Sequence, residues 1–379
     1  MKKVLIIAGE VSGDMHGASL VTSLKKKTND IEFFGLGGKR MEDAGVRLYY
    51  NLVDIAVLGL FEVLKNYATF RKIFDDTVRK LDEEKFDCVI LIDYPGFNLR
   101  FAKYVKKKGI PLLYYISPQV WAWGKGRIKT IKTLIDKIVV LFKFEEELYS
   151  EKGLNVEFVG HPLLDLVKPA ITKEESYGAF GLKKDKKTVV FFPGSREFEV
   201  RGLLPIMIKT AELIKRDYPA VQFLMVRLPS LKKDIFDNIL KDTKLEIKLI
   251  EGRSYDAIEA SDLMIIKSGT GTLEATILQK PMIITYKASF ITYLITRFLI
   301  KLPYIGLVNV IAGKKIVPEF LQYNARANLI AKEAISILED SSKANEIKKQ
   351  LRAIKEKLGE PGANERAAEA VLKFLGCCG

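Results

Sequence analysis

Short, mainly apolar runs, separated by turns and helix-like segments, recur along both halves of the chain. This pattern restricts the fold more than any other feature. In the first half the runs are Val4–Ala8, Ile31–Gly35, Cys88–Ile92, Leu112–Ile116, Lys137–Leu141 and Val156–Val159. In the second half they are Val189–Phe192, Val221–Val226, Ile247–Ile250, Leu263–Ile266 and Met282–Thr285. Apolar runs of this length suit strands covered on both faces, the environment of a parallel sheet. Helices between such strands supply the crossovers that parallel pairing needs. Two series in 379 residues predict an α/β protein with two Rossmann-like domains facing across a cleft, each large enough for its own core.

The stretch Lys168–Lys187 changes character, with Pro169, Gly178, Gly181 and a charged run from Lys183. It predicts a linker over 171–187. The first domain is then 1–170 and the second 188–345, with 346–379 expected to return to the first domain as C-terminal helices. Those helices can return within one chain or into a neighbour's, which would make a homodimer.

The sharpest ligand signal is L-M-I-I-K-S-G-T-G-T-L-E-A at Leu263–Ala275. An apolar strand leads into Ser268-Gly269-Thr270-Gly271-Thr272, and Leu273 to Leu278 reads as helix. Such a turn offers backbone N–H groups at the positive end of a helix and suits a phosphate. A second turn, Pro193-Gly194-Ser195-Arg196, follows the run Val189–Phe192 and adds a guanidinium whose planar fork matches a diphosphate. Either turn alone is an ordinary β-to-α connection. Together they point to one nucleotide diphosphate.

In the first half, Gly9-Glu10-Val11-Ser12-Gly13-Asp14-Met15-His16-Gly17 spaces its glycines four apart. It is therefore not the dinucleotide fingerprint, and NAD and FAD are discounted. Ser12 as a helix cap and Asp14 in the first turn weigh equally with ligand contact. Asp93 ends the run Cys88–Ile92 ahead of Tyr94-Pro95-Gly96-Phe97-Asn98. A carboxylate there is either a general base or a turn former, and Asn98 is placed to cap the next helix. Ser117–Arg127 holds both tryptophans of the chain, Trp121 and Trp123, beside Gln119, Lys125 and Arg127. Flat aromatics beside cations suit a sugar face or a headgroup, or a core tryptophan with an exposed rim. His161, in Gly160-His161-Pro162, is a secondary candidate. Glu319 is read as opening a helix, where it accepts ribose hydroxyls or satisfies that helix's dipole.

The formal charge of +14 is compatible with nucleic acid, an anionic membrane or phosphorylated small molecules. The charge is dispersed and no nucleic-acid signature occurs, so nucleic acid is the weakest of the three. Three cysteines without a Cys-x-x-Cys pair and only two histidines exclude a plausible zinc site and fit a reducing cytosol, and the absence of Asp-x-Asp favours neutralising a diphosphate with Arg196 and helix N-termini over a divalent metal. No metal or cofactor is expected. The start of the chain reads as a strand rather than a signal peptide, and no transmembrane helix is expected. Val57–Phe74 and Tyr286–Leu307 mix large apolar residues with Lys and Arg. Leu60, Phe61 and Leu64 in one, and Phe290, Leu294, Phe298 and Leu299 in the other, are candidate membrane or acyl-chain contacts. Core helices are the alternative.

Seven motifs then occur in a fixed order: A-G-E-V-S-G-D at Ala8–Asp14, I-D-Y-P-G-F-N at Ile92–Asn98, S-P-Q-V-W-A-W at Ser117–Trp123, G-H-P-L at Gly160–Leu163, P-G-S-R at Pro193–Arg196, S-G-T-G-T-L-E at Ser268–Glu274 and N-V-I-A-G-K-K-I-V-P-E-F-L-Q at Asn309–Gln322. As an ordered set, running nearly end to end, they resemble the lipid-A-disaccharide synthase family. The resemblance implies an inverting glycosyltransferase of the GT-B type. Such an enzyme joins UDP-2,3-diacylglucosamine to 2,3-diacylglucosamine 1-phosphate through a β-1,6 bond, at the cytoplasmic face of a Gram-negative inner membrane. It implies Asp93 as base on the acceptor hydroxyl and Arg196 as the essential arginine, assigned to the UDP diphosphate. Carried over motif by motif, Ser195, Ser268, Gly269, Thr270 and Glu274 join Arg196 at the UDP, with Asn309, Glu319 and Gln322. Ser12, Asp14, Asn98, Gln119, Trp121 and His161 fall to the acceptor side or the cleft. A UDP-N-acetylglucosamine 2-epimerase and a non-catalytic nucleotide-sugar binder at the membrane are the competing readings.

Overall fold

The apolar runs become the strands of two separate parallel sheets in the computed structural model, which describes residues 1–56, 67–118, 120–121, 126–287 and 303–376. The first sheet contains β1 (Lys2–Ala8), β2 (Ile31–Gly37), β3 (Arg47–Asn51), β4 (Cys88–Ile92), β5 (Leu112–Tyr115), β6 (Lys137–Val140) and β7 (Val156–Phe158), in the order β3-β2-β1-β4-β5-β6-β7. The second contains β8 (Lys187–Phe192), β9 (Val221–Arg227), β10 (Ile247–Glu251), β11 (Leu263–Lys267), β12 (Met282–Tyr286) and β13 (Glu319–Leu321), in the order β10-β9-β8-β11-β12-β13. The class is α/β and both units are Rossmann-like. The central strands are the most completely covered: Val4 to Ala8, Cys88 to Ile92 and Leu263 to Ile265 have no exposed surface.

The strand orders locate the reversal point of each sheet. Each sheet grows in both directions from its first strand, so the order reverses between β1 and β4 in one and between β8 and β11 in the other. Open parallel sheets bind ligands outside the carboxyl ends of the strands at such a reversal. Ala8 pairs with Ile92, which sets the turn after Gly9 beside Asp93. Ile266 pairs with Phe192, which sets Ser268–Thr272 beside Pro193–Arg196. The two strongest pairs of motifs thus fall at the two reversal points.

The first unit is Met1–Pro162 together with the chain from Leu358 onward, and the second is Leu163–Lys357. Residues 171–187 are not a free linker. Thr172 and Glu175 form a capping box at the helix Lys173–Ala179. Lys173 pairs with Asp262 at 2.9 Å, and the Ala170 N–H donates to Asp256 at 2.7 Å. The T-K-E-E spacing carries that cap, and the composition of the stretch masks it. The helix Ser341–Lys357 also belongs to the second unit. Only the helix Ala363–Phe374 lies in the first, against the helix Val11–Lys27, where Glu369 pairs with Lys27 at 2.8 Å. Among the described residues no helix is long and apolar enough to cross a membrane.

Candidate active site

Asp93 stands one residue past β4 on a backbone that L-residues seldom adopt. Its φ is +43°, that of Tyr94 is +48°, and that of the β-branched Ile116, at the end of neighbouring β5, is +59°. Left-handed non-glycine residues cost free energy and persist only where the surroundings enforce them. Here the enforcement is visible. The Tyr114 hydroxyl donates to the Asp93 carbonyl at 2.5 Å, and Asn98 Nδ2 donates to the same carbonyl at 2.7 Å and to that of Ile92 at 3.2 Å. Tyr94 lies over Gly9, where a Cβ would stand 2.2 Å from its ring, so only glycine admits this turn. Burial, and then the charge of Glu10, push the Asp93 carboxyl up to about 6, against the pull of the Tyr94 backbone N–H. A carboxylate raised in this way is a stronger base that still ionises near neutrality.

The neighbouring candidates divide into supports and open residues. Asn98 does not cap its helix: Tyr94 holds the cap position of Pro95–Lys107, and the buried amide secures the strand end that carries Asp93. Asp14 is buried and accepts N–H bonds from Gly38 at 2.8 Å, Arg40 at 3.2 Å and Met41 at 3.0 Å. It therefore caps the helix Lys39–Asp43 rather than its own, which no spacing within its motif reveals. Glu10, not Ser12, is the cap residue of Val11–Lys27, and Ser12 is exposed in the first turn. Asp14→Ala leaves three N–H groups without their acceptor and is expected to cost roughly 2–4 kcal/mol. Urea unfolding checks this, with UDP affinity unchanged.

Trp121 is half-buried and donates through Nε1 to Glu145 at 2.9 Å, with its ring edge-on to Phe144 at 5.4 Å. Glu145 is buried; desolvation raises its carboxyl to about 7, and the charge of Asp93 adds to the rise. It sits in the run E-E-E, where no sequence signal separates the buried member from its solvated neighbours. His161 is buried, 5.3 Å from the Phe142 ring, and its backbone N–H donates to the Leu358 carbonyl at 2.9 Å. Burial lowers it to about 3, with a smaller push from His16, itself lowered by burial to about 4. Both histidines are neutral at physiological pH and offer no charge to a phosphate.

In the second unit the two turns differ in a way the sequence does not suggest. The N–H groups of Ser195 and Arg196 are already taken by Glu199 Oε2, at 3.0 and 3.2 Å. Gly194, with φ +136°, makes room for that carboxylate: a Cβ there would lie 2.7 Å from Oε2. The Pro193–Arg196 turn is thus left to offer the exposed Arg196 guanidinium and the exposed Ser195 hydroxyl. In the other turn the N–H groups of Gly269, Thr270 and Gly271 find no acceptor among the described residues. The helix there starts at Gly271 rather than Leu273, with Thr270 exposed at its cap position. Ser268 is buried, its hydroxyl 3.4 Å from the Ile305 carbonyl. Glu274, raised by burial, accepts from the Tyr255 hydroxyl at 3.5 Å.

Asn309 and Glu319 serve the scaffold. Asn309 is fully buried; its Nδ2 donates to Val317 at 2.9 Å and Glu319 at 2.7 Å, and its Oδ1 accepts from Ile316 at 2.8 Å and Val317 at 3.0 Å. Glu319 opens strand β13 and not a helix, but its carboxylate takes the Ile305 and Gly306 N–H groups, each at 3.1 Å, ahead of the helix Leu307–Ala312. The expected helix at Glu319 is absent, and the carboxylate instead serves the start of a helix earlier in the chain. Gln322 adopts φ +53° at the start of a 3₁₀ turn. Gln119, Leu60, Phe61, Leu64, Phe290, Leu294, Phe298 and Leu299 lie outside the described residues. No cluster of residues able to hold a metal occurs among those described.

The family profile for lipid-A-disaccharide synthetase matches residues 4–374. The lipid-A-disaccharide synthase of Syntrophus aciditrophicus is 45% identical over 99% of this chain and 98% of its own length. That of Geobacter sulfurreducens is 40% identical over 99% and 97%. Among solved structures, S. aureus MnaA with UDP aligns with a TM-score of 0.65 at 16% identity, covering 99% of this chain and 97% of its own. MurG of Acinetobacter baumannii aligns at 0.60 and 12%, covering 98% and 100%. These two likenesses establish the shared fold alone; the agreement in sequence over nearly the whole length goes further, and the chain belongs to the lipid-A-disaccharide synthetase family.

Proposed function

We propose that the chain is an inverting glycosyltransferase that condenses UDP-2,3-diacylglucosamine with 2,3-diacylglucosamine 1-phosphate, giving the β-1,6-linked disaccharide 1-phosphate and UDP. Asp93 takes the proton of the acceptor 6-hydroxyl as its oxygen attacks the anomeric carbon. The bond from that carbon to the diphosphate oxygen breaks, and Arg196 with the open amides of Gly269–Gly271 receives the charge on the leaving UDP. One displacement on an α-linked donor gives a β product. The observation that carries the reading is Asp93: a carboxyl raised to about 6 at the strand-order reversal of a chain in this family. The net charge of +14 suits a donor diphosphate, an acceptor phosphate and an anionic bilayer.

Incubation with both lipid substrates tests the reading. Disaccharide and UDP support it; isomerised UDP-sugar without transfer points to an epimerase, and binding without turnover to a carrier. Peripheral attachment to the cytoplasmic face of the inner membrane, through residues 57–74 and 286–307, belongs to the same proposal. The double substitution Leu294→Glu, Phe298→Glu should move the protein from the pellet to the supernatant when sedimented with anionic vesicles, with UDP affinity unchanged. Unaltered sedimentation would count against those residues.

A further inference from the structure

Lys267 is the last residue of β11 and directly precedes the open turn Ser268–Thr272. Its ammonium stands 2.8 Å from Glu199 Oε1, whose other oxygen holds the Ser195 and Arg196 N–H groups. Glu199 is 3% exposed and Lys267 18%. The same ammonium lies 3.4 Å from where a Cβ on Gly269 would stand, and 5.6 Å from the centre of the Tyr286 ring. It therefore sits where the two turns meet, bonded to a buried carboxylate on one side and close to the side of Gly269 that lacks a Cβ. An ammonium has three N–H donors, and Glu199 is its one ionic partner among the described residues.

We propose that Lys267 is a second cationic ligand of the nucleoside diphosphate, and that Glu199 is the positioning residue that aims it. This rests on the reading of the second unit as the UDP site. A buried carboxylate needs a compensating charge, and a lysine at this strand end supplies it while keeping donors for a ligand. Because Glu199 occupies the amides of the Pro193–Arg196 turn, that turn binds through side-chain cations, and the lysine adds to Arg196 the charge that a multiply ionised diphosphate needs.

The test separates a ligand from a mere counter-ion. Lys267→Met alone strands the Glu199 charge and puts folding at risk, so the informative protein is the double variant Lys267→Met, Glu199→Gln. Its pair is neutral like the native one, and the amide introduced by Glu199→Gln still offers an oxygen to the two N–H groups. Kd values for UDP, UMP and uridine are measured by calorimetry, alongside the thermal midpoint. The expected result is a near-native midpoint, a UDP Kd raised about 10- to 100-fold, and a uridine Kd unchanged. Lys267→Arg should keep UDP affinity within a few-fold of native. Native UDP affinity in the double variant would overturn the proposal, as would equal losses for UDP and uridine. Wild-type protein that fails to bind UDP would sink the UDP-site reading itself, and this inference with it.

Discussion

Asp93→Asn is expected to lower kcat by about 10²–10⁴-fold, the range a positioned general base supplies, with UDP affinity unchanged. The asparagine fills the same space and keeps the carbonyl bonds from Tyr114 and Asn98, so the loss reports the proton acceptor alone. The pH profile carries the second half of the expectation. The base works only when ionised, and burial with the charge of Glu10 has moved its carboxyl from 3.8 to about 6. Wild-type kcat/KM should therefore fall tenfold per unit as pH drops below about 6. Glu10→Gln removes the repulsion and should shift that limb to lower pH. The sign for stability is opposite. A folded value above the unfolded one means that the native state binds the proton more tightly, so this contribution is complete below about pH 4 and lost as pH rises through 6. Asp93→Asn should be more stable than the wild type at pH 8, by about 3 kcal/mol, and no more stable at pH 3. Near-native turnover in Asp93→Asn would remove Asp93 from the role.

Arg196→Ala is expected to raise the UDP Kd about 10- to 100-fold, the value of one charge-assisted donor set, while uridine binds as before. Glu199 is the reason. Its carboxylate has claimed both backbone donors of the turn, so the guanidinium is the charged group that turn has left for the proposed diphosphate. Loss of leaving-group stabilisation should lower kcat as well. Arg196→Lys should recover only part of the loss, because lysine presents a point charge where the arginine presents a fork. Equal UDP affinity in wild type and Arg196→Ala would mean that the diphosphate lies elsewhere.

Much of this architecture is written in the chain as hydrophobic pattern. Eleven mainly apolar runs correspond to eleven of the strands, and the signature is clearest in central strands such as β4 and β11, which are covered on both faces. The exceptions are instructive. β3 reads R-L-Y-Y-N and β13 reads E-F-L, edge strands with a single aliphatic residue each and so no aliphatic run to mark them. The turns after β1, β4, β8 and β11 are legible as strand-to-helix connections from small residues and their place after strands. What each polar side chain does inside them is not. Asp14 caps a helix Lys39–Asp43 far along the chain, and Glu199 turns back into the turn before it. Asn309 spends every donor and acceptor on its own scaffold. Such choices depend on three-dimensional partners, and a motif that combines support with contact looks alike for both. Lys267 shows the reverse case: it lies inside the most informative stretch of the sequence, yet only its approach to Glu199 and Gly269 distinguishes it from a solvated strand end.

All of these roles depend on the second unit's reversal point gripping the diphosphate of UDP. A crystal structure of the protein with UDP addresses this most directly. The expected result is diphosphate oxygens within hydrogen-bonding distance of the Arg196 guanidinium and the N–H groups of Gly269, Thr270 and Gly271. UDP bound away from both turns would contradict it.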